Sequence, residues 1–133
     1  MEILISKIGQ ISILFKDQDE ALAFYVEKLR FTKRQEASFE GMRWVTVSPK
    51  NQPDVELTFV KADNEDKANA VGKQAGDHVF LTLETDDCQR DFEEMQKKGV
   101  KFYGEPQKQA YATEVVFEDL YGNLFDLIQR AKW

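Results

Sequence analysis

Apolar residues recur along this chain with two periods, and the switches between them mark its elements. Over 8–15 the period is two: Ile11, Ile13 and Phe15 share one face, and Gln10, Ser12 and Leu14 share the other, as in a half-buried strand. Asp17-Gln18-Asp19-Glu20 then has the form of a capping box, with Asp17 accepting from the third helical amide and Glu20 reaching back. Leu22, Tyr25 and Leu29, joined by Ala21 and Phe24, follow at helical spacing and predict a helix laid over the Ile11/Ile13/Phe15 face. Residues 31–38 read as a polar edge strand, and 42–48 as a stronger one between Gly41 and Pro49. Residues 55–60 alternate again, with Val55, Leu57 and Phe59 opposite Glu56, Thr58 and Val60. The polar stretch 63–76, with Gly72 and Gly76, reads as a linker with room for a helical turn.

The pattern then repeats. A strand over 78–84 sets Val79, Leu81 and Leu83 against His78, Phe80, Thr82 and Glu84. Asp86 or Asp87 caps a second helix whose apolar face is Cys88, Phe92 and Met95, and Gly99 stands where a left-handed residue ends it. Strands are expected over 100–103, 111–118 and 124–130, the last two joined by the turn Asp119-Leu120-Tyr121-Gly122-Asn123. An offset of 70 places Asp17 on Asp87, Gln10 on Phe80, Leu22 on Phe92, Glu56 on Asp126 and Leu57 on Leu127. Internal repetition at this scale predicts two βαβββ modules, about 5–62 and about 77–130, within one domain spanning 1–133. Each module has a helix on one sheet face and leaves the opposite face to line a cavity.

Composition narrows the functions. With 133 residues, 42% hydrophobic and 32% charged, the chain can bury a real core. A net charge of −6 and a pI near 4.9 argue against a nucleic-acid surface and are compatible with a cationic ligand. The start MEILISKIG lacks a basic n-region, no apolar run is long enough for a bilayer, and one cysteine excludes an internal disulfide framework. The expected location is the cytoplasm, with no membrane partner.

On the faces turned from the helices, Gln10, Glu56 and Asp126 carry oxygens suited to a divalent metal, and His78 lies two residues from Phe80. The segments FKDQDEALAFYVEKLRF, VELTFVKA and EDLYGNLFDLIQ resemble the vicinal-oxygen-chelate superfamily, which includes glyoxalase I, extradiol dioxygenases, fosfomycin-resistance enzymes and bleomycin-binding proteins. The resemblance covers nearly the whole chain except the linker. It implies an α+β glyoxalase-like fold: tandem βαβββ modules forming a cup-shaped, partly open mixed β-barrel with helices outside. It also implies a homodimer, and metal ligands from the first and fourth strands of each module, which fall here on Gln10, Glu56, Phe80 and Asp126. Phe80 has no ligating atom, Asp126 is shorter than the usual Glu, and Arg30 replaces the Gly that commonly ends the first helix.

Two functional readings stay open. In one, Gln10, Glu56 and Asp126 hold nickel, zinc, manganese or iron in a glyoxalase-like lyase, with Glu56 or Asp126 as catalytic base. In the other, no metal is bound and a drug-like small molecule is sequestered against Gln10, His78, Phe80 and Trp44. A regulatory or purely structural role is a third possibility. A two-histidine, one-carboxylate iron site cannot be assembled from a single histidine, which makes dioxygenase activity the least favoured chemistry.

Overall fold

Residues 2–131 are described by the structure, a computed structural model, and they fall into two units that divide between Lys61 and Ala62. In the first, β1 (Gln10–Phe15) leads through the N-cap Asp17 into α1 (Gln18–Ala23). The Asp17 carboxylate accepts from the amides of Asp19 and Glu20, satisfying donors that a helix start leaves orphaned. The helix continues as one π-helical turn (Phe24–Lys28), in which the Leu29 amide bonds to the Phe24 carbonyl. That wider turn was not expected from the spacing; it buries the consecutive residues Phe24 and Tyr25 together. Arg30 then takes a left-handed φ of 64°, the conformation that glycine would adopt without strain.

β2 (Thr32–Phe39), β3 (Met42–Ser48) and β4 (Glu56–Lys61) complete a sheet in the order β1-β4-β3-β2, with β1 parallel to β4. The polar β2 is an edge strand, as its composition predicts. The core lies between the helix and one sheet face. Phe15, Tyr25 and Phe59 meet there edge to face, with centroids 4.7 to 5.6 Å apart. Buried Gln18 ties the helix down, its Nε2 donating to the carbonyls of Phe59 and Arg43.

The second unit includes the segment read as a linker. Asn64 caps a short helix, α2 (Glu65–Ala70), and Gly72 packs directly against the backbone of Tyr121. β5 (Val79–Glu84), α3 (Cys88–Lys97), β6 (Lys101–Phe102), β7 (Gln107–Lys108), β8 (Ala112–Glu118) and β9 (Leu124–Arg130) follow. The sheet order is β5-β9-β8-β6, with β7 also on β8; β7 is too short to leave a period in the sequence. Asp87 caps α3 through the Arg90 amide, and Cys88, Phe92 and Met95 are its buried residues, as the spacing predicts. Phe92, Phe102, Phe117 and Phe125 form a continuous aromatic run beneath it. Buried Asp119 organises the β8–β9 turn, accepting from the amides of Tyr121 and Asn123 and from the Asn123 side chain.

Candidate functional site

Each sheet has one face on its helix and one turned away, and the candidate residues sort by this alternation. In the first unit Leu57 and Phe59 join the core, so Glu56 and Thr58 occupy the opposite face. Gln10 is the strand partner of Glu56, and Ser12 of Thr58. On the other flank, Thr46 of β3 is the partner of Thr58, with Trp44 two residues before it. Trp44 is 41% exposed, whereas Thr46 and Thr58 are fully or almost fully buried. The Glu56 carboxylate leans toward β3: its Oε1 accepts from the Thr46 hydroxyl and, at 2.8 Å, from the Gln35 side-chain amide. Gln10, Glu56 and Trp44 therefore share one face of the sheet. Gln35, Thr46 and Thr58 belong to it as well; Thr58 was already placed beside Glu56 by the alternation of β4, but only the cross-strand register supplies the other two.

The second unit departs from the repeat. Gln10 pairs with Glu56 in the first sheet, but Asp126 pairs with Thr82, not with Phe80. A register shift between Val79 and Leu81 and a second half shorter by two residues between paired positions produce the difference. The expected equivalence of Glu56 and Asp126 is thereby corrected. Phe80 lies at the irregularity, its ring meeting Phe125 edge-on at 6.3 Å. His78 precedes the strand and is exposed, with Nδ1 2.9 Å from the Val79 carbonyl oxygen; the bulge beside it does not bring it inward.

What Asp126 meets instead is Glu114. Val116 is the strand partner of Asp126 and Glu114 that of Ile128, so Glu114 is the diagonal neighbour on the same face. Burial first, then the charge and hydrogen bond of Glu114, raise the Asp126 carboxyl to about 6. Tyr111 donates its hydroxyl to Glu114 at 2.7 Å. Nothing in the offset of 70 marked Glu114; the alternation of β8 is the signal that could have found it. Cys88 is the opposite case: it is fully buried, and burial pushes its thiol up to about 11, so it is inert packing.

The donor set does not complete a metal site within either unit. Glu56 is engaged by neutral donors, Phe80 has no donor atom, and the second unit offers only the neighbouring Asp126 and Glu114, with the Asp126 carboxyl raised to about 6. Among the described residues, no three of His, Cys, Asp and Glu are grouped to hold an ion. A glyoxalase-type centre needs more fixed ligands than these.

Residues 7–127 match the family model of the glyoxalase/bleomycin resistance protein/dioxygenase superfamily. The chain belongs to this superfamily. An uncharacterised protein of Shewanella frigidimarina is 45% identical over 124 residues, covering 92% of each chain. The crystal structure of UcmS2 shares 34% identity at a TM-score of 0.83 and covers 94% of this chain and 98% of its own. That of TnmS3, an antibiotic-binding protein from Streptomyces sp. CB03234, shares 27% identity at a TM-score of 0.79, covering 98% and 100%. The α+β, glyoxalase-like fold follows from these likenesses and from the two sheets with their few helices. No helix among the described residues is long and apolar enough to cross a membrane.

Proposed function

We propose that this protein binds a drug-like small molecule without catalysing its conversion. The observation that carries this reading is the state of the family's ligand positions: Glu56 is held by Thr46 and Gln35, and Phe80 stands where a ligating side chain would. A carboxylate braced by these donors is a fixed hydrogen-bond acceptor, which suits recognition. The likeness to TnmS3, described as antibiotic-binding, supports the same class of ligand. The net charge of −6 favours a cationic one. The reading includes a cytoplasmic homodimer, and exposed Phe39 and Met42 are apolar surface that pairing would cover.

A second reading, a lyase-type enzyme with a weak divalent metal, is favoured by the Asp126–Glu114 pair, two neighbouring carboxyl side chains on one sheet face. One experiment separates the two. Protein purified without chelator is submitted to elemental analysis and to melting scans with nickel, zinc, manganese and ferrous iron. The same batch is titrated calorimetrically with metal-free bleomycin and planar aromatic antibiotics. Saturable binding of a compound to metal-free protein is the expected result. A near-stoichiometric metal whose melting shift disappears in Glu56→Gln, together with turnover of a glutathione hemithioacetal, would overturn it.

A further inference from the structure

The second unit holds a cavity of about 400 Å³ at the open end of the β8–β9 hairpin, lined by residues 108–109, 112–113 and 129–131. The register sets three polar side chains on one face there: Lys108 is the strand partner of Thr113, and Thr113 that of Gln129. Cross-strand partners stand about 5 Å apart, so the row spans about 10 Å, which the long lysine stem shortens further. Gln129 is oriented by the fold. Its Oε1 accepts from the Cys88 amide at 2.8 Å, and a backbone amide can only donate, so Nε2 keeps both hydrogens for another acceptor. No acceptor among the described residues engages Gln129 Nε2, the Thr113 hydroxyl or Lys108 Nζ. Arg130 stands apart from the row: strand alternation sends it to the other face, where its Nε meets Glu84 at 3.2 Å. Among the described residues no carboxylate lines the cavity. Those at the start of α3, where Gln129 makes its contact, are engaged elsewhere: Asp87 accepts from the Arg90 amide, and Asp86 and Asp91 pair with the Arg90 side chain.

We infer that this cavity binds a small organic carboxylate, with Lys108 Nζ, Thr113 Oγ1 and Gln129 Nε2 as its donors. One lysine balances a single negative charge, and the two neutral donors complete the hydrogen bonds of the carboxylate oxygens. A phosphate dianion would keep an unbalanced charge in a chain whose net charge is already −6. Ala112 and Ala131 leave room for the apolar body of the ligand. The site lies within the second unit and is independent of the binding reading above, which rests on Glu56 in the first.

The test titrates the full chain, uniformly labelled with nitrogen-15, with benzoate and follows it by NMR. The Gln129 side-chain amide and the Thr113 backbone amide should move saturably, while benzyl alcohol, uncharged and of similar size, leaves them in place. Lys108→Gln and Thr113→Val should each weaken benzoate by about threefold or more, the lysine effect being limited by its exposure to solvent. Lys108→Arg, which keeps the charge, should stay within about twofold of wild type. Gln129→Glu still offers an oxygen to the Cys88 amide but sets a like charge in the cavity, and should abolish the saturable shift of Thr113. Lys108 is exposed, so its variants test the site even if a change at Gln129 disturbs folding. Shifts that spread over the surface without saturating, a silent Gln129 up to the solubility of benzoate, or unchanged affinity in both Lys108→Gln and Thr113→Val would each overturn the inference. Inorganic phosphate that moves the same signals at lower concentration than benzoate would overturn the assignment to a carboxylate.

Discussion

Thr58→Val offers a sharp test of the polar face in the absence of any ligand. Valine keeps the branched shape of threonine and removes only the hydroxyl, so the ladder of β4 with β1 and β3 is undisturbed. At 3% exposure the hydroxyl has lost its solvent, and no described group replaces it. A buried hydroxyl in that condition costs about 1–3 kcal/mol. Taking the lower end, the variant should be more stable by about 1 kcal/mol, raising Tm by about 3–4 °C for a chain of this size. Urea unfolding followed by far-UV circular dichroism would read it directly, with the midpoint moving up and the slope unchanged. Thr46→Val is the matched control. Its hydroxyl donates to Glu56, so its removal leaves a part-buried carboxylate short of a partner and should lose about 1–2 kcal/mol. Two threonines directly across from each other should thus respond with opposite signs. A loss of about 1 kcal/mol or more in Thr58→Val would show that its hydroxyl is already bonded in the free protein, and the reasoning would fail.

Other consequences can be measured on the same footing. Because burial and Glu114 raise Asp126 to about 6, the native state holds that proton more tightly than the unfolded chain, whose Asp titrates near about 4. The penalty is therefore present above about pH 6 and is relieved as pH falls toward about 4; Asp126→Asn should add about 1 kcal/mol at pH 8, after solvent screening, and almost nothing at pH 4. A gain independent of pH would refute the assignment. Gly72→Ala should cost at least about 2 kcal/mol in urea unfolding, because its φ is +76° and a Cβ there would stand 2.0 Å from the Tyr121 carbonyl oxygen. Cys88 should resist a thiol reagent at pH 8 in the native protein and react fully in denaturant, given its burial and raised thiol; rapid native labelling would contradict the packing.

Much of the fold was legible from periodicity because it depends on local rules. The strand Met42–Ser48 and the buried set Cys88, Phe92 and Met95 follow from alternation of two and from helical spacing. Asp17 and Asp87 mark helix starts because a carboxylate there satisfies backbone amides. The π-helical turn after Ala23 left no comparable mark, since the apolar residues that drive it also suit an ordinary helix. The two-residue strand Gln107–Lys108 is too short to carry a period.

Local patterning along the chain set the elements, the helix-facing sides of the sheets and the presence of Gln10, Glu56 and Thr58 on surfaces turned away from the helices. Those are properties of neighbours in the chain. Which residues meet across strands was decided by the tertiary structure alone. One irregularity near Phe80 moves Asp126 opposite Thr82, and Glu114 becomes its neighbour in place of the expected repeat mate. The tilt of the Glu56 carboxylate toward Thr46, and the isolation of the Thr58 hydroxyl beside it, likewise arise from the register of β3 on β4. Register is a long-range pairing set by turn lengths and bulges, and a repeat in the pattern of elements does not preserve it.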